Sequence, residues 1–420
     1  VSAAEADVAV VGAGIVGIMT ALALQDEGRS VVLIDRGGVA EGASFGNAGA
    51  FAFSDVLPLA SPGIMRRAPR WLLDPLGPLT VRPAYAHRIA PWLFGFWRAS
   101  GRAAFERSLK AQAAMMRLAR AEMEKRIAAA GLGSMIRSDG CLEVYESERE
   151  LEFSKANWER RAAEGIGFRH VDRGEIDALQ PGLDLRFVRG TFVPEWQTVS
   201  DPHRFAVALA ETVFARGGRL VKAEVRRIEA VNGGGARIVL ADGSAIAARQ
   251  AVLAAGAWSK ALATGLGDRV PLDTERGYNT TLPPGSFDLR RQLVFGGHGF
   301  VVTPLETGLR VGGAVEFGGL ELAPNFRRSE AMLAKAKRFM PALRTEGGRQ
   351  WMGFRPSMPD SLPVIGRSHA GATIVYAFGH GHLGLTQSAA TGRLVADLLA
   401  GRAPAIDARP FDPRRFREGN

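Results

Sequence analysis

Apolar residues in this chain fall into two patterns that alternate along its length. Near the start, residues 7 to 35 read DVAVVGAGIVGIMTALALQDEGRSVVLID. Val8–Val11 is a short continuous apolar run, which predicts a strand buried on both faces. Glycines follow, then a helical pattern (Ala21, Leu22, Leu24) that stops at Gly28. A second apolar run, Val31 to Ile34, ends in Asp35. Near the other end, a strand over Thr373–Phe378 leads through glycines into a helical run, Leu385 to Leu399. Between these lie pieces of different character. Phe105–Ile127 has few breakers and apolar spacing on one face, predicting a long helix. Residues 141–147, 189–196 and 294–317 read as short strands. Residues 201–218 read as a capped helix that ends at glycines. RLVKAEVRRIEAV and ARIVLADG read as a hairpin joined by Gly233, Gly234 and Gly235. Strand-rich pieces thus interrupt β-α-β pieces, which predicts one discontinuous domain with a second inserted in it. A chain of 420 residues is long enough for both.

The turn Gly12-Ala13-Gly14-Ile15-Val16-Gly17 meets the demands of a dinucleotide site. Gly12 permits the tight turn, Gly14 lets backbone approach a pyrophosphate, and Gly17 lets helix and strand pack closely. The helix start offers N–H groups and a positive dipole end to phosphates. Asp35 stands where a carboxylate accepts from ribose hydroxyls and argues against a 2′-phosphate, so NAD or FAD is expected over NADP. After Arg36 comes EGASFGNAGA (residues 41–50), rich in small residues. It can run along an extended ligand, offering backbone N–H groups and the side chains of Ser44 and Asn47. A second β-α unit does not follow promptly, unlike a plain NAD domain.

With GAGIVGIMTALAL and ASFGNAGAF, three further segments carry a resemblance: RQAVLAAGAWS (249–259), LDTERGYNTTLP (272–283) and GFRPSMPDSLPVIG (353–366). Together the chain resembles the D-amino-acid oxidase/glycine oxidase superfamily of FAD enzymes, and within it the bacterial D-amino-acid dehydrogenase branch. The resemblance implies an α/β fold: a Rossmann-like FAD-binding domain with an inserted α+β substrate domain built on a mostly antiparallel sheet. Expected boundaries are 1–78, 197–266 and 350–420 for the FAD domain, and 79–196 and 267–349 for the substrate domain. The expected cofactor contacts are Gly12, Gly14, Ile15, Val16, Gly17, Asp35, Arg36, Ser44, Asn47, Ala48, Gly49, Val225, Ala255, Gly256, Trp258, Arg355, Gly381, His382, Leu383, Gly384, Leu385 and Thr386. By the same resemblance, Arg355 forks onto the substrate α-carboxylate, a task a planar guanidinium suits better than lysine. Tyr278 is the second expected carboxylate contact. Arg276 stands where the branch often has lysine. Related enzymes that attach flavin covalently carry a histidine near the position of Asn47 or a cysteine in the C-terminal segment. Neither is present, so non-covalent FAD is expected.

The implied reaction moves hydride from the α-carbon of a D-amino acid to flavin N5, the cofactor carrying the hard step. D-proline or hydroxy-D-proline is the substrate the resemblance leans to. Electrons would pass to a quinone or another non-oxygen acceptor. The alternative is a glycine/sarcosine-type amine oxidase that uses dioxygen.

GHGHLG (380–384 with its flanks) poses a separate question. A His-x-His pair can ligate metal, but needs a third ligand. His87, His170, His203, His298 and His369 show no paired spacing, so no metal is expected. Gly379, Gly381 and Gly384 between strand and helix fit better. Free N–H groups of this loop, 380–386, would stabilise negative charge at the flavin N1/C2 edge. His380 or His382 would add charge or touch substrate, or else bond to backbone.

Net charge is +10, which favours anionic partners. The basic residues are scattered and not interleaved with aromatics, so no nucleic-acid partner is expected. One cysteine, Cys141, excludes an intramolecular disulfide and a cysteine-rich metal site. With no signal peptide visible and no run of roughly 20 apolar residues, a cytoplasmic protein is expected. Residues 54–98 mix Trp, Phe, Leu and Pro with Arg. They read either as a cover over the substrate cavity or as a peripheral patch on the inner face of the cytoplasmic membrane.

Overall fold

The computed structural model describes residues 6–64, 79–231 and 233–416. The part of 54–98 that spans 65–78 lies outside the described residues, as does Asn232.

The first sheet has a parallel centre. Its strands run Arg219–Lys222, Val31–Asp35, Ala6–Val11 and Ala245–Leu253, with Gly371–Phe378 beside the end of the last. Val8, Val10, Val32 and Leu33 are fully buried, as a parallel strand covered on both faces requires. Helices Ile15–Gln25 and Gly384–Ala400 cover one face. They approach closely at Gly392, where a Cβ would lie 2.6 Å from the Met19 carbonyl oxygen. Pro202–Ala215 packs there too, its start capped by Asp201, whose carboxylate accepts from the N–H groups of His203 and Arg204.

The second sheet has nine strands among the described residues and is mostly antiparallel. Its order is Arg349–Ser357, Asp273–Leu282, Gly308–Phe317, Phe300–Leu305, Gln292–Phe295, Cys141–Tyr145, Arg189–Val193 and Arg169–Asp172, with Leu79–Val81 beside Gly308–Phe317. Helix Arg327–Phe339 packs on its outer face through Met332, Ala336 and Phe339.

Three expectations are corrected. Arg349–Ser357, expected with the FAD domain from residue 350, is an edge strand of the second sheet, because it pairs along its length with Asp273–Thr281. Helix Arg102–Ala129, expected in the substrate domain, joins the first sheet's core through Ala111, Met115, Ala119 and Met123. Arg219–Lys222 is not part of the hairpin. It pairs in parallel with Val32–Asp35, and only Val225–Ala230 returns on Ala236–Leu240.

Candidate functional site

A cavity of about 1460 Å3 opens between the two sheets and is walled by both. That exceeds the space a single drug-sized ligand needs, about 300–1,000 Å3.

Its first end is the glycine turn. A Cβ on Gly12 would overlap the Ala254 carbonyl, and its φ of +111° suits glycine. A Cβ on Gly17 would overlap the Gly12 carbonyl, so Gly17 serves the packing of helix on strand and does not border the cavity. Gly14 does border it. As N-cap of helix Ile15–Gln25 it brings no capping side chain, which leaves room for a ligand at the helix start. The Ser44 hydroxyl accepts from the Ile15 N–H at 3.1 Å, fixing residues 42–48 beside this turn. Asp35 Oδ1 accepts from Gly37 and Gly38, and Oδ2 from Ala13 at 2.8 Å. Oδ2 retains acceptor capacity beyond this one bond, and Asp35 borders the cavity. Arg36 lies 4.0 Å over the Trp258 ring, and both border the cavity with Val225, Ala255 and Gly256.

The second end is built on the second sheet. Within Asp273–Leu282, Glu275, Gly277 and Asn279 share the cavity face at every second position. Opposite Glu275 in register stands Arg355. Its guanidinium crosses Gly277, where any Cβ would collide with it, and donates to the carbonyls of Ala314 (2.9 Å) and Gly313 (3.4 Å). Those carbonyls are turned toward it by a bulge between Arg276 and Tyr278, at which Ala314 adopts φ +55°. Burial lowers the Arg355 pKa and Glu275 opposes that shift. Arginine stays charged in any case. Asn279 donates to the Gly46 carbonyl at 3.0 Å, and its Oδ1 is buried with no partner among the described residues. Trp351 lies flat against Gly46 and Gly353, which leave it no room for a Cβ. Arg310, whose pKa burial pushes down to about 10, holds the Asn47 carbonyl.

The loop 380–384 closes the space. His382, Gly381, Gly384 and Leu385 border it, and helix Gly384–Ala400 begins with no side-chain cap. Its first N–H groups are thus offered to the cavity. Leu383 and Thr386 do not border it. Leu383 is buried, and the Thr386 hydroxyl accepts from Ala52 N–H and so pins residues 50–52. Gly49 is likewise structural, its φ of +73° setting it beside the Val199 carbonyl.

Two sequence expectations are corrected here. Tyr278 is not free to hold a carboxylate. It is 1% exposed, its hydroxyl donates to Glu316 at 2.8 Å and accepts from the Asn325 N–H, and its ring packs on Phe326. Its ring lies in the second sheet's core on the face opposite Gly277, although the residue also borders the cavity. Arg276 shares that face, buried with Glu316 and the Gly319 carbonyl. His380 does not carry charge. Its Nε2 lies 2.8 Å from the Thr391 hydroxyl, which itself donates to the Gln387 carbonyl, so the ring is the donor. Burial pushes its pKa down to about 3. His382 is 39% exposed and 3.9 Å from Asp55.

These residues fit FAD. The glycine turn and Asp35 suit its phosphates and ribose, and the orphaned Asn279 Oδ1, Trp351 and the uncapped helix at Gly384 surround room for a ring system. When bound, FAD supplies a two-electron acceptor for a carbon–hydrogen bond.

Comparison with known proteins agrees. Residues 7–398 match the family described as DAO: FAD dependent oxidoreductase. The chain is 38% identical over 97% of its length to a D-amino-acid oxidase of Bradyrhizobium diazoefficiens, covering 98% of that protein. It is 31% identical over 97% to a D-amino acid dehydrogenase of Rhizobium johnstonii, covering 99% of it. In fold it is similar to glycine oxidase from Geobacillus kaustophilus, with TM-score 0.76, 22% identity and 98% of each chain covered. This chain therefore belongs to the DAO family of FAD-dependent oxidoreductases.

Proposed function

We propose that the chain oxidises a D-amino acid at its α-carbon, with electrons leaving to an acceptor other than dioxygen. The observation that carries this reading is Arg355, an enclosed guanidinium laid over Gly277 in the same cavity as the dinucleotide turn. A fixed planar cation in such a place recognises a carboxylate. With FAD bound, the α-hydrogen leaves as hydride and the amine becomes an imine, which water hydrolyses to a 2-oxo acid and ammonia. Arg355 orients the substrate, Glu275 balances its charge, and the helix start at Gly384 faces developing negative charge. The names of the relatives support the D-amino-acid class.

The cover over this cavity is helix Ala86–Ala99. Trp92, Leu93 and Phe96 face inward, and Trp92 Nε1 donates to the Ser357 carbonyl. Phe94 and Trp97 face outward, 58% and 55% exposed. In this proposal that outer face is where a membrane-borne quinone is met. No helix among the described residues is long and apolar enough to cross a membrane.

The test is anaerobic titration of the yellow holoprotein with D-alanine and D-proline, their L-enantiomers, and achiral glycine and sarcosine. Bleaching by a D-substrate, followed by faster recovery with a soluble quinone than with air, is expected. Rapid recovery in air with hydrogen peroxide makes the chain an oxidase. Bleaching by no amino acid removes the assignment.

A further inference from the structure

The cavity floor is one row of residues running across the second sheet: Trp351, Asn279, Gly312, Val301, Val294 and Glu143. Each is paired in register with the next, and all six border the cavity. Arg355 lies beside this row, further along the strand of Trp351, its guanidinium over Gly277 and bonded to the carbonyls of Gly313 and Ala314, one and two residues past Gly312. Glu143 ends the row at the other side.

Glu143 is half-buried, so the surface it keeps faces the cavity. A Cβ on the neighbouring Gly296 would stand only 2.8 Å from its Oε1. Among the described residues no cation is in ion-pair contact with it; burial raises its pKa, and Arg161 opposes that shift from beyond contact distance. The other charged groups at this end are already engaged. Arg161 lies 3.6 Å from Asp55 and over the Trp158 ring. Glu150 accepts from the Glu146 N–H, and His382 leans to Asp55. The Tyr145 hydroxyl, which accepts from Trp158, is the polar group beside the Glu143 carboxyl. An enclosed carboxylate with no ion-pair partner in contact is costly, and an incoming cation would offset that cost.

From Gly312 to Glu143 is three strand spacings, roughly 14 Å. An extended lysine has six bonds from carboxylate carbon to terminal nitrogen. With a charge-assisted contact of about 2.8 Å at each end it spans a similar length.

We propose that Glu143 is a specificity-determining residue that receives the cationic end of a long basic D-amino acid, such as D-lysine or D-arginine, whose α-carboxylate lies on Arg355. This rests on the D-amino-acid reading above and replaces the cyclic imino acids expected from the sequence.

The experiment compares D-lysine with D-norleucine, the analogue that carries the same carbon chain without the terminal ammonium, as reductants of the anaerobic holoprotein. D-lysine is expected to have the higher kcat/KM by at least about tenfold, and Glu143→Gln to remove most of that ratio. A second readout needs no turnover: perturbation of the flavin band by 6-aminohexanoate against hexanoate. The amine is expected to bind about tenfold more tightly, and Glu143→Gln to abolish the difference. Equal use of D-lysine and D-norleucine, or a ratio that survives Glu143→Gln, overturns the proposal while leaving the D-amino-acid reading intact. Bleaching by neither overturns the proposal, and the D-amino-acid reading falls with it only if D-alanine and D-proline also fail to bleach the flavin.

Discussion

His380 is a buried imidazole whose titration is set by its surroundings. Its ordinary pKa is 6.5 and burial brings it to about 3 in the folded protein. The unfolded chain therefore takes up a proton first as pH falls. The associated stability is complete above about pH 6.5 and is lost as pH falls toward 3, by up to about 1.4 kcal/mol per unit. His380→Gln, which can still donate to Thr391, should flatten the dependence of stability on pH between 6.5 and 4.5. Urea unfolding at several pH values measures this; an unchanged slope would mean that His380 is not the group responsible. At this scale, legibility followed backbone demands. Gly12, Gly14 and Asp35 could be read because a dinucleotide turn requires those residue types. Tyr278 was misread because a motif does not say which face of a strand a residue occupies. Counting alternate positions from Gly277 would have placed the side chains of Glu275 and Asn279 on the cavity face and turned the Tyr278 ring toward the core on the other side.

Among elements, the pair Asp273–Leu282 and Gly308–Phe317 does most to shape the substrate end. Its bulge sets Gly277 against Ala314 and aims two carbonyls at Arg355. Gly277→Ala puts two effects in competition. In a strand interior, alanine is intrinsically favoured over glycine by roughly 0.5–1 kcal/mol. Against this, the new Cβ displaces the guanidinium, and losing hydrogen bonds to a charged group costs about 1.5–3 kcal/mol. The second effect wins for binding. KM for the D-amino acid should rise by roughly 10- to 100-fold, with the flavin spectrum kept. An unmoved KM would remove Arg355 from the carboxylate. Helix Arg102–Ala129 was legible from its period, but period does not name a packing partner, and so its core was misassigned. Glu143 was invisible for a similar reason. Sheet order brings it into the Asn279 row across more than a hundred residues of chain.

For the whole molecule, the cavity is the joint between two sheets, and its volume is far too large to be filled by side chains. A ligand that touches both walls binds the folded form alone and stabilises it by mass action. At 100 times its dissociation constant, FAD should add about 2.7 kcal/mol. With an unfolding entropy of roughly 2.1 cal/mol/K per residue, that raises Tm by about 3 °C for a chain of this length. The rise depends on the flavin being dissociable, and the side chains around the cavity favour that. Asn47 borders the cavity, and its amide is no nucleophile. Cys141 borders the cavity, but burial raises its pKa and keeps it a thiol, a poor nucleophile. His380 Nε2 is held by Thr391. Acid precipitation of the holoprotein should therefore leave the yellow colour in the supernatant. The apoprotein should melt earlier and recover the difference when FAD is restored. Flavin retained in the pellet would contradict this and direct attention to His382, the exposed histidine at the cavity wall.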